Sequence, residues 1–185
     1  MLSFFDVTLF KAAFEQGSVF AYPTEAVFGL GCNPLSEAGM NEILRLKIRP
    51  VEKGVILIAA NFNQVLPYID WQSIPEAHQQ KIQHSWPGPF TWLMPKSERT
   101  PDWICGDSDL VAVRVTDHPI VTQMCLAVDS ALVSTSANPA GLEPARTAEQ
   151  IRNYFSDQVL LIEGALGSQA KPSTISNSLT LEKLR

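Results

Sequence analysis

Cysteine is scarce in this chain, and the spacing of its three cysteines excludes two common uses of the residue. Cys32, Cys105 and Cys125 are odd in number, far apart in sequence and without a CxxC pair. Disulfide frameworks and zinc knuckles need paired or closely spaced thiols, so the sequence predicts neither. We expect three buried free thiols instead.

Long apolar runs are also missing. No stretch of the sequence is long enough to span a bilayer, and residues 1–14 lack both the basic start and the cleavage site of an export signal. These absences predict a cytoplasmic protein that makes no contact with a membrane.

The sequence has too few basic residues for a predominantly basic protein surface. The chain has 14 Lys and Arg against 19 Asp and Glu, and its formal net charge is -5. Non-specific binding of nucleic acid usually requires a basic surface. Any contact with a polynucleotide is therefore expected only at a local basic groove, as a secondary interaction.

Familiar nucleotide-binding and hydrolase motifs are absent as well. The sequence contains no GxxxxGK followed by Ser or Thr, and no GxGxxG, GxSxG or HExxH pattern. P-loop, Rossmann, serine-hydrolase and zinc-protease sites are therefore not predicted, and neither is a metal held by the protein. Gly29 and Gly31, in a glycine-punctuated apolar run at residues 26–31 that follows a loop, are interpreted only as marking a turn.

The chain does contain enough apolar material for one globular domain over residues 1–185. Hydrophobic residues make up 45% and charged residues 18% of the sequence, and no repeat or linker divides it. Continuous apolar runs of strand length fit strands covered on both faces, and short hairpin-like spacings exclude an all-parallel sheet. The sequence therefore predicts an α/β domain with a mixed sheet and flanking helices.

The same patterns predict the individual elements. Strands are expected at residues 18–22, 55–60, 91–94, 110–115 and 131–134, with two short late strands at 159–162 and 173–176. Helices are expected at 7–14, 36–47, 75–84 and 119–127, and a capping box of Thr147 and Gln150 opens a further helix. Ser3 and Asp117 are the predicted caps of the first helix and of the helix at 119–127.

Two polar segments stand between apolar stretches and carry groups suited to anions. Residues 47–50, Lys-Ile-Arg-Pro, supply a mobile point charge and a planar guanidinium fork, and residues 134–138, Ser-Thr-Ser-Ala-Asn, supply short neutral hydrogen-bonding groups. We expect the two segments to form halves of one nucleotide pocket. On the residues alone, a solvated helix end for the first and a strand-end turn for the second stay open.

Six segments of the sequence occur in the order typical of one family. They are AYPTEAVFGLG at 21–31, LKIRP at 46–50, WPGPFT at 86–91, VRV at 113–115 followed by His118-Pro119, STSAN at 134–138 and KPSTI at 171–175. They span most of the chain, which resembles the YrdC/TsaC family in its short form, without the extra C-terminal domain of longer relatives. One departure is Lys53-Gly54, where the family often has His-Pro.

The resemblance implies a fold, an activity and partners. The fold is an open, twisted α/β sheet with a concave, electropositive active-site face. The activity is that of a nucleotidyltransferase, which joins L-threonine, bicarbonate or CO2, and ATP into L-threonylcarbamoyladenylate and releases pyrophosphate. A tRNA threonylcarbamoyl-transferase complex would use the product to modify adenosine 37 of tRNA. Mg2+ is expected to arrive with ATP and not in a cage of protein ligands.

The resemblance also implies roles for individual residues. Lys47 and Arg49 would be catalytic, because they hold phosphate oxygens, while Thr24, Arg114 and Ser173 would bind the threonine side of the reaction. The expected ATP-binding residues are Lys47, Arg49, Thr91, Ser134, Ser136, Asn138 and Arg146.

Two side chains close to these segments are interpreted as structural. Glu25 follows Thr24 in a loop, and a solvated carboxylate is the expected state. His118 precedes a proline at a helix start, so we expect a capping or packing histidine and not a general base.

Two other functions stay open at this stage. One is a ribosome maturation factor that binds double-stranded RNA, which the acidic total disfavours. The other is a carbamoyl-adenylate-forming unit like that of hydrogenase-maturation proteins. Those proteins carry acylphosphatase and zinc-finger segments, and this sequence has neither.

Overall fold

The computed structural model describes residues 5–50, 54–169 and 173–185. Three predictions concern residues outside these ranges: Ser3 as a helix cap, the loop at Lys53, and the first two residues of the late KPSTI segment. Within the described ranges, no helix is both long enough and apolar enough to cross a membrane.

In the described part of the chain, eight strands form one mixed sheet. The strands are β1 (Phe20–Pro23), β2 (Phe28–Gly31), β3 (Ile56–Ala59), β4 (Phe90–Pro95), β5 (Leu110–Val115), β6 (Leu132–Ser136), β7 (Leu160–Leu161) and β8 (Thr174–Asn177). Their order is β7-β1-β2-β6-β3-β5-β4-β8. The β1–β7, β3–β5 and β4–β8 pairs are parallel and the other neighbouring pairs are antiparallel. The predicted mixed α/β sheet is confirmed.

The second strand differs from the sequence expectation, which placed only a turn and an apolar run there. β2 pairs antiparallel with both β1 and β6, and it connects β1 and β7 to the rest of the sheet. Glycine has low strand propensity, which explains why the pattern did not predict a strand. A Cβ at Gly31 would collide with the carbonyl oxygen of Val133, so a larger residue would push β2 away from its neighbour.

Helices flank the sheet, and all of them except a four-residue helix at Asp102–Cys105 lie at the predicted places. They are α1 (Val7–Glu15), α2 (Glu37–Lys47), α3 (Glu76–His84), α4 (Asp102–Cys105), α5 (Pro119–Val128) and α6 (Ala148–Phe155). The capping box of Thr147 and Gln150 is present at the start of α6, as predicted.

Two predicted helix caps are wrong. The N-cap of α1 is Asp6, whose carboxylate accepts a hydrogen bond from the Leu9 amide at 3.0 Å, and not Ser3. The N-cap position of α5 is His118, and not Asp117, because Pro119 is already the first helical residue. The His118 amide instead donates to the Thr116 hydroxyl at 3.0 Å.

Both faces of β1 and β3 are largely buried, because alternate residues of these strands enter different apolar clusters. Phe20 and Ile58 pack with α1 and α5 on one face, whereas Ala21 and Leu57 pack with α2 and α6 on the other. This alternation is the reason that the strands appear as continuous apolar runs in the sequence. It confirms the prediction of strands covered on both sides for β1 and β3, whereas β5 packs on one face through Val111 and Val113 and lines a cavity with the other.

The three cysteines are free and buried, as predicted. Burial raises the pKa of the Cys32 thiol to about 12 and raises that of Cys125 further. The thiolate is the reactive form of cysteine, so these two thiols are packing groups.

Candidate active site

A cavity of about 580 Å³ lies against one face of the sheet. Alternate residues of β5, Leu110, Ala112 and Arg114, face it, and β2, β3, β6 and β8 contribute further lining residues. The size is typical of a pocket for a small molecule. The polar side chains of its lining include Thr24, Glu25, Arg49, Arg114, Ser134, Thr135, Ser136, Ser173 and Arg185.

The structure brings the two polar segments of the sequence into direct contact. The Lys47 ammonium donates to the backbone oxygens of Ser136 and Asn138, the latter at 3.0 Å, and lies 3.3 Å from the Asn138 side-chain oxygen. In return, the Ala140 amide donates to the Lys47 carbonyl at 2.8 Å. The last turn of α2 therefore holds the loop that follows β6.

The partners of Lys47 are all neutral oxygens. None of the ion pairs in the described ranges includes this lysine. Burial, and secondarily the charge of Arg49, lower the pKa of Lys47 to about 8. Lys47 itself is 4% exposed and does not line the cavity. It therefore contributes to the site by holding the loop after β6 in position.

Ile48, which lies between Lys47 and Arg49, has an unusual backbone conformation. It occupies the C-cap of α2 with φ 51° and ψ 51°, a left-handed geometry that is strained for a β-branched residue. After this turn, Arg49 lines the cavity and donates from Nη2 to the Gly54 carbonyl at 2.9 Å. Partial burial lowers the pKa of Arg49, which is half-buried.

The loop after β6 is ordered by its own polar groups. The Ser136 hydroxyl donates to the Asn138 side-chain oxygen at 2.7 Å, and the Asn138 amide group donates to the Leu142 carbonyl at 2.8 Å. Ser134 and Ser136 line the cavity, whereas Asn138 lies behind them. The neutral groups predicted at 134–138 thus divide into three that line the cavity, Ser134, Thr135 and Ser136, and one, Asn138, that holds the Ser136 hydroxyl.

Thr24 and Ser173 also line the cavity. The Thr24 hydroxyl donates to the Val27 carbonyl at 2.7 Å, which closes a turn and leaves the hydroxyl oxygen free to accept. The Ser173 hydroxyl lies 2.8 Å from that of Thr91, which is buried behind it and does not line the cavity.

Arg146 and His118 lie away from the cavity lining. Arg146 is exposed, and its backbone amide donates to the Gln150 side chain at 2.7 Å. His118 is buried with Nε2 3.2 Å from the Ala165 carbonyl, and burial lowers the pKa of its imidazole. His118 is therefore a packing residue, as expected.

The interpretation of Glu25 as a solvated side chain is wrong. Glu25 is buried, lines the cavity and forms an ion pair with Arg114, with Oε2 and Nη2 2.9 Å apart. The sequence signal for this pair was weak, because the two residues are far apart and only the sheet brings them together.

Arg185 is a second residue that the sequence analysis missed. Its guanidinium donates from Nη2 to the Ser173 carbonyl at 3.1 Å and lines the cavity. Pairing of the 184–185 backbone with Ile175 of β8 carries it there. No motif in the sequence predicted this contact.

The charged lining of the cavity is suited to anions. Among the described lining residues, the cations are Arg49, Arg114 and Arg185, and the one acidic side chain, Glu25, is paired. Over the same described ranges, no group of three or more His, Cys, Asp or Glu side chains could hold a metal ion. The fold and the cavity thus define an α/β protein that binds small anionic molecules.

Comparison with known proteins gives the family. The family model Sua5_yciO_yrdC, with the description "Telomere recombination", matches residues 12–185. The chain belongs to this Sua5/YciO/YrdC family.

Two curated relatives are similar over nearly their whole length. The threonylcarbamoyl-AMP synthase of Pseudoalteromonas atlantica is 49% identical over 176 residues, which cover 95% of this chain and 94% of the relative. The protein of the same name from Yersinia enterocolitica is 47% identical over 173 residues, covering 94% and 91%.

A solved structure agrees with the fold. The crystal structure of P. abyssi Sua5 complexed with L-threonine superposes with a TM-score of 0.87 at 29% identity. The match covers 96% of this chain and 52% of that protein, so the chain spans about half of the length of this longer relative.

Proposed function

We propose that this cavity makes L-threonylcarbamoyl-AMP from L-threonine, bicarbonate or CO2, and ATP. Relatives with 49% and 47% identity over more than nine tenths of the chain are threonylcarbamoyl-AMP synthases, and the protein is an enzyme of the same class, a nucleotidyltransferase. The L-threonine complex of P. abyssi Sua5 supports the amino-acid substrate.

One observation of the structure supports this function most directly. The Lys-x-Arg segment and the Ser-Thr-Ser-Ala-Asn loop meet beside a cavity that three arginines line. Bicarbonate, the threonine carboxylate and the triphosphate are all anionic, so a site that gathers them needs fixed cations and neutral donors.

The reaction requires positioning and charge stabilisation more than a protein nucleophile. The threonine amine adds to CO2, or to bicarbonate with loss of water, and gives a carbamate. A carbamate oxygen then attacks the α-phosphorus of ATP, and pyrophosphate leaves with the electron pair of the broken P–O bond. Negative charge is concentrated at the centre throughout, so the cations of the lining can lower the barrier.

The residues divide between direct contacts and support. We assign Arg49, Ser134 and Ser136 to the phosphates, and Thr24, Arg114 and Ser173 to the threonine side, because all six line the cavity. Lys47, Asn138 and Thr91 act through the residues that they hold, whereas Arg146 is exposed and does not line the cavity, so we assign it no contact here.

A divalent ion would enter with its nucleotide. The acidic side chain in the described lining, Glu25, is paired with Arg114 and is not available as a carboxylate ligand. These residues do not fit a site that holds Mg2+ by itself, so the triphosphate and water would supply the ligands of an ion carried by ATP.

The setting of the reaction follows from the product. A threonylcarbamoyl adenylate is an activated acyl donor, and we assign it to a tRNA threonylcarbamoyl-transferase complex that modifies adenosine 37 of tRNA in the cytoplasm. The net charge of -5 makes direct RNA binding a minor contribution to this protein's own task.

Mass spectrometry of the reaction products tests the function. Purified protein is incubated with ATP, bicarbonate, L-threonine and Mg2+, and each is omitted in turn. We expect a mass for L-threonylcarbamoyladenylate, together with pyrophosphate, only in the complete mixture. An adenylate that forms without threonine, or none in the complete mixture, would refute the proposed reaction.

A further inference from the structure

The geometry points to Glu25 as a positioning residue for the reaction: its carboxylate fixes the guanidinium of Arg114 in the cavity wall, where Arg114 holds an anionic group of a substrate. This inference rests on the proposed function and adds a residue to it.

The pair is buried at the edge of the cavity. Glu25 and Arg114 are each 7% exposed, and both line the cavity. Their Oε2 and Nη2 atoms are 2.9 Å apart, although the contact lacks the alignment of a hydrogen bond. A buried arginine without a carboxylate nearby would be an uncompensated charge, so Glu25 makes it possible for Arg114 to occupy this wall.

The other carboxylate oxygen is fixed from the same strand. Glu25 Oε1 accepts a hydrogen bond from the Thr116 hydroxyl, and Thr116 follows the end of β5 two residues after Arg114. The two groups that hold the carboxylate therefore lie near each other, at and just after the end of β5. This arrangement orients Glu25 and makes it a poor candidate for a mobile proton acceptor.

The backbone of Glu25 is held as well. The Gly167 amide donates to the Thr24 carbonyl at 2.9 Å, and the Gln169 amide donates to the Glu25 carbonyl at 3.1 Å. A Cβ on Gly167 would lie 2.8 Å from the Glu25 Cα, which leaves room only for glycine at this close approach. The segment that contains Gly167 thus fixes the position from which the carboxylate reaches Arg114.

Arg114 retains unused hydrogen-bonding capacity. Its Nε atom is buried and has no hydrogen-bond partner among the described residues. A guanidinium carries five N–H donors in a planar fork that matches a carboxylate or a phosphate, and a buried donor without a partner is costly. An anionic ligand group would accept hydrogen bonds from the guanidinium N–H groups at the cavity wall, provided that Glu25 keeps the fork in place.

A double-mutant cycle tests this role. The variants are Glu25→Gln, Arg114→Lys and the double variant, and Glu163→Gln is the matched control because Glu163 forms an exposed ion pair with Arg152. We expect Glu25→Gln to raise the KM for threonine by about tenfold to a hundredfold with a smaller change in kcat. Glu163→Gln should leave both constants unchanged, because exposed pairs contribute little.

The cycle separates a positioning role from an independent one. If Glu25 acts through Arg114, the double variant has the same KM as Arg114→Lys alone. Effects that multiply in the double variant, or a Glu25→Gln enzyme with the KM of the wild type, would overturn the inference. Thermal melting is recorded for each variant, and KM values are compared only between folded proteins.

Thr116→Val gives a second route if Glu25→Gln does not fold. Valine removes the hydroxyl that holds Glu25 Oε1 and keeps the shape of the side chain. We expect a rise in the same KM of about threefold to tenfold, and an unchanged KM in the folded variant would overturn the inference.

Failure of the proposed reaction would be recognisable separately. It would show as a wild-type protein that forms no adenylate. Calorimetric titration of the four proteins with L-threonine and with ATP would then still measure the coupling of Glu25 to Arg114, and absence of coupling in the affinities would overturn the inference.

Discussion

Two buried cations of the site, Lys47 and Arg114, show how the kind of partner determines what a charge can do. They are similarly buried, at 4% and 7% exposed. Arg114 faces the carboxylate of Glu25, whereas Lys47 faces backbone and amide oxygens of the loop after β6.

Lys47 and Arg114 differ in whether a neighbouring charge compensates their own. Neutral oxygens satisfy the hydrogen bonds of an ammonium but do not cancel its charge, so burial lowers the pKa of Lys47 to about 8. Arginine stays protonated at any ordinary pH, and its carboxylate partner balances it. The Lys47 region is therefore sensitive to pH, and the Arg114 region is sensitive to the loss of its partner.

Removing the cation that lines the cavity beside Lys47 should have the largest effect. Arg49→Ala deletes a charged contact to phosphate, worth about 1.5–3 kcal/mol, and should slow adenylate formation by about one to two decades. Pyrophosphate release measures the rate. Arg99→Ala, at an exposed position outside the lining, is the control and should match the wild type. A similar rate in both variants would remove Arg49 from the site.

Lys47→Met tests the comparison of Lys47 with Arg114, because it removes the uncompensated charge and keeps a side chain of similar volume. We expect kcat/KM to fall by about tenfold because the loop at 136–140 loses its anchor, while the melting temperature changes little. Hydrogen exchange should be faster at the Asn138 and Ala140 amides, and the amides of β3 and β5 provide internal controls. Unchanged exchange in the loop would contradict the anchoring role.

The pH dependence of the wild type should come partly from Lys47. Above pH 8 the lysine loses the proton with which it holds the loop, so kcat/KM should fall by about fivefold at pH 9 in a pH profile. Lys47→Met should lack this part of the fall. A profile that is the same in both proteins would contradict the assignment.

The free energy of unfolding should rise with pH over the range above pH 8 in which kcat/KM falls. Between about pH 8 and the ordinary lysine value of 10.5, the unfolded chain keeps a proton that folded Lys47 has released. The free energy of unfolding due to this group therefore rises with pH. Denaturant unfolding of the wild type and Lys47→Met at several pH values isolates this contribution as a difference.

Ile48→Gly should have the smallest effect. Ile48 is 74% exposed in a left-handed conformation, so glycine relieves backbone strain at little loss of packing. We expect the melting temperature to rise by about 2 °C, since about 1 kcal/mol corresponds to a few degrees in a chain of this size. Ile48→Ala, which keeps a Cβ, should gain less, and an equal gain would argue against strain.

Much of the fold could be predicted because its determinants are local. Continuous apolar runs at residues 55–60 and 110–115 predicted buried strands, and Thr147 with Gln150 predicted a helix start. β2 could not be predicted in this way, because Gly31 is required by the close approach of the Val133 carbonyl from β6 and not by strand propensity.

The site was predictable to the extent that its residues form motifs. The complementary chemistry of the Lys-x-Arg segment and the Ser-Thr-Ser-Ala-Asn loop predicted that the two would lie together, and they are in contact. Glu25 and Arg185 were missed because their partners are distant in sequence, and because an isolated charge is most often solvated.

The most direct test of the site is a crystal structure of the protein with L-threonine, bicarbonate and a non-hydrolysable ATP analogue. We expect the triphosphate within hydrogen-bonding distance of Arg49 and of Ser134 or Ser136, and an anionic group of the substrates on Arg114. Ligands bound elsewhere on the protein, with these side chains left without contact, would contradict the proposed active site.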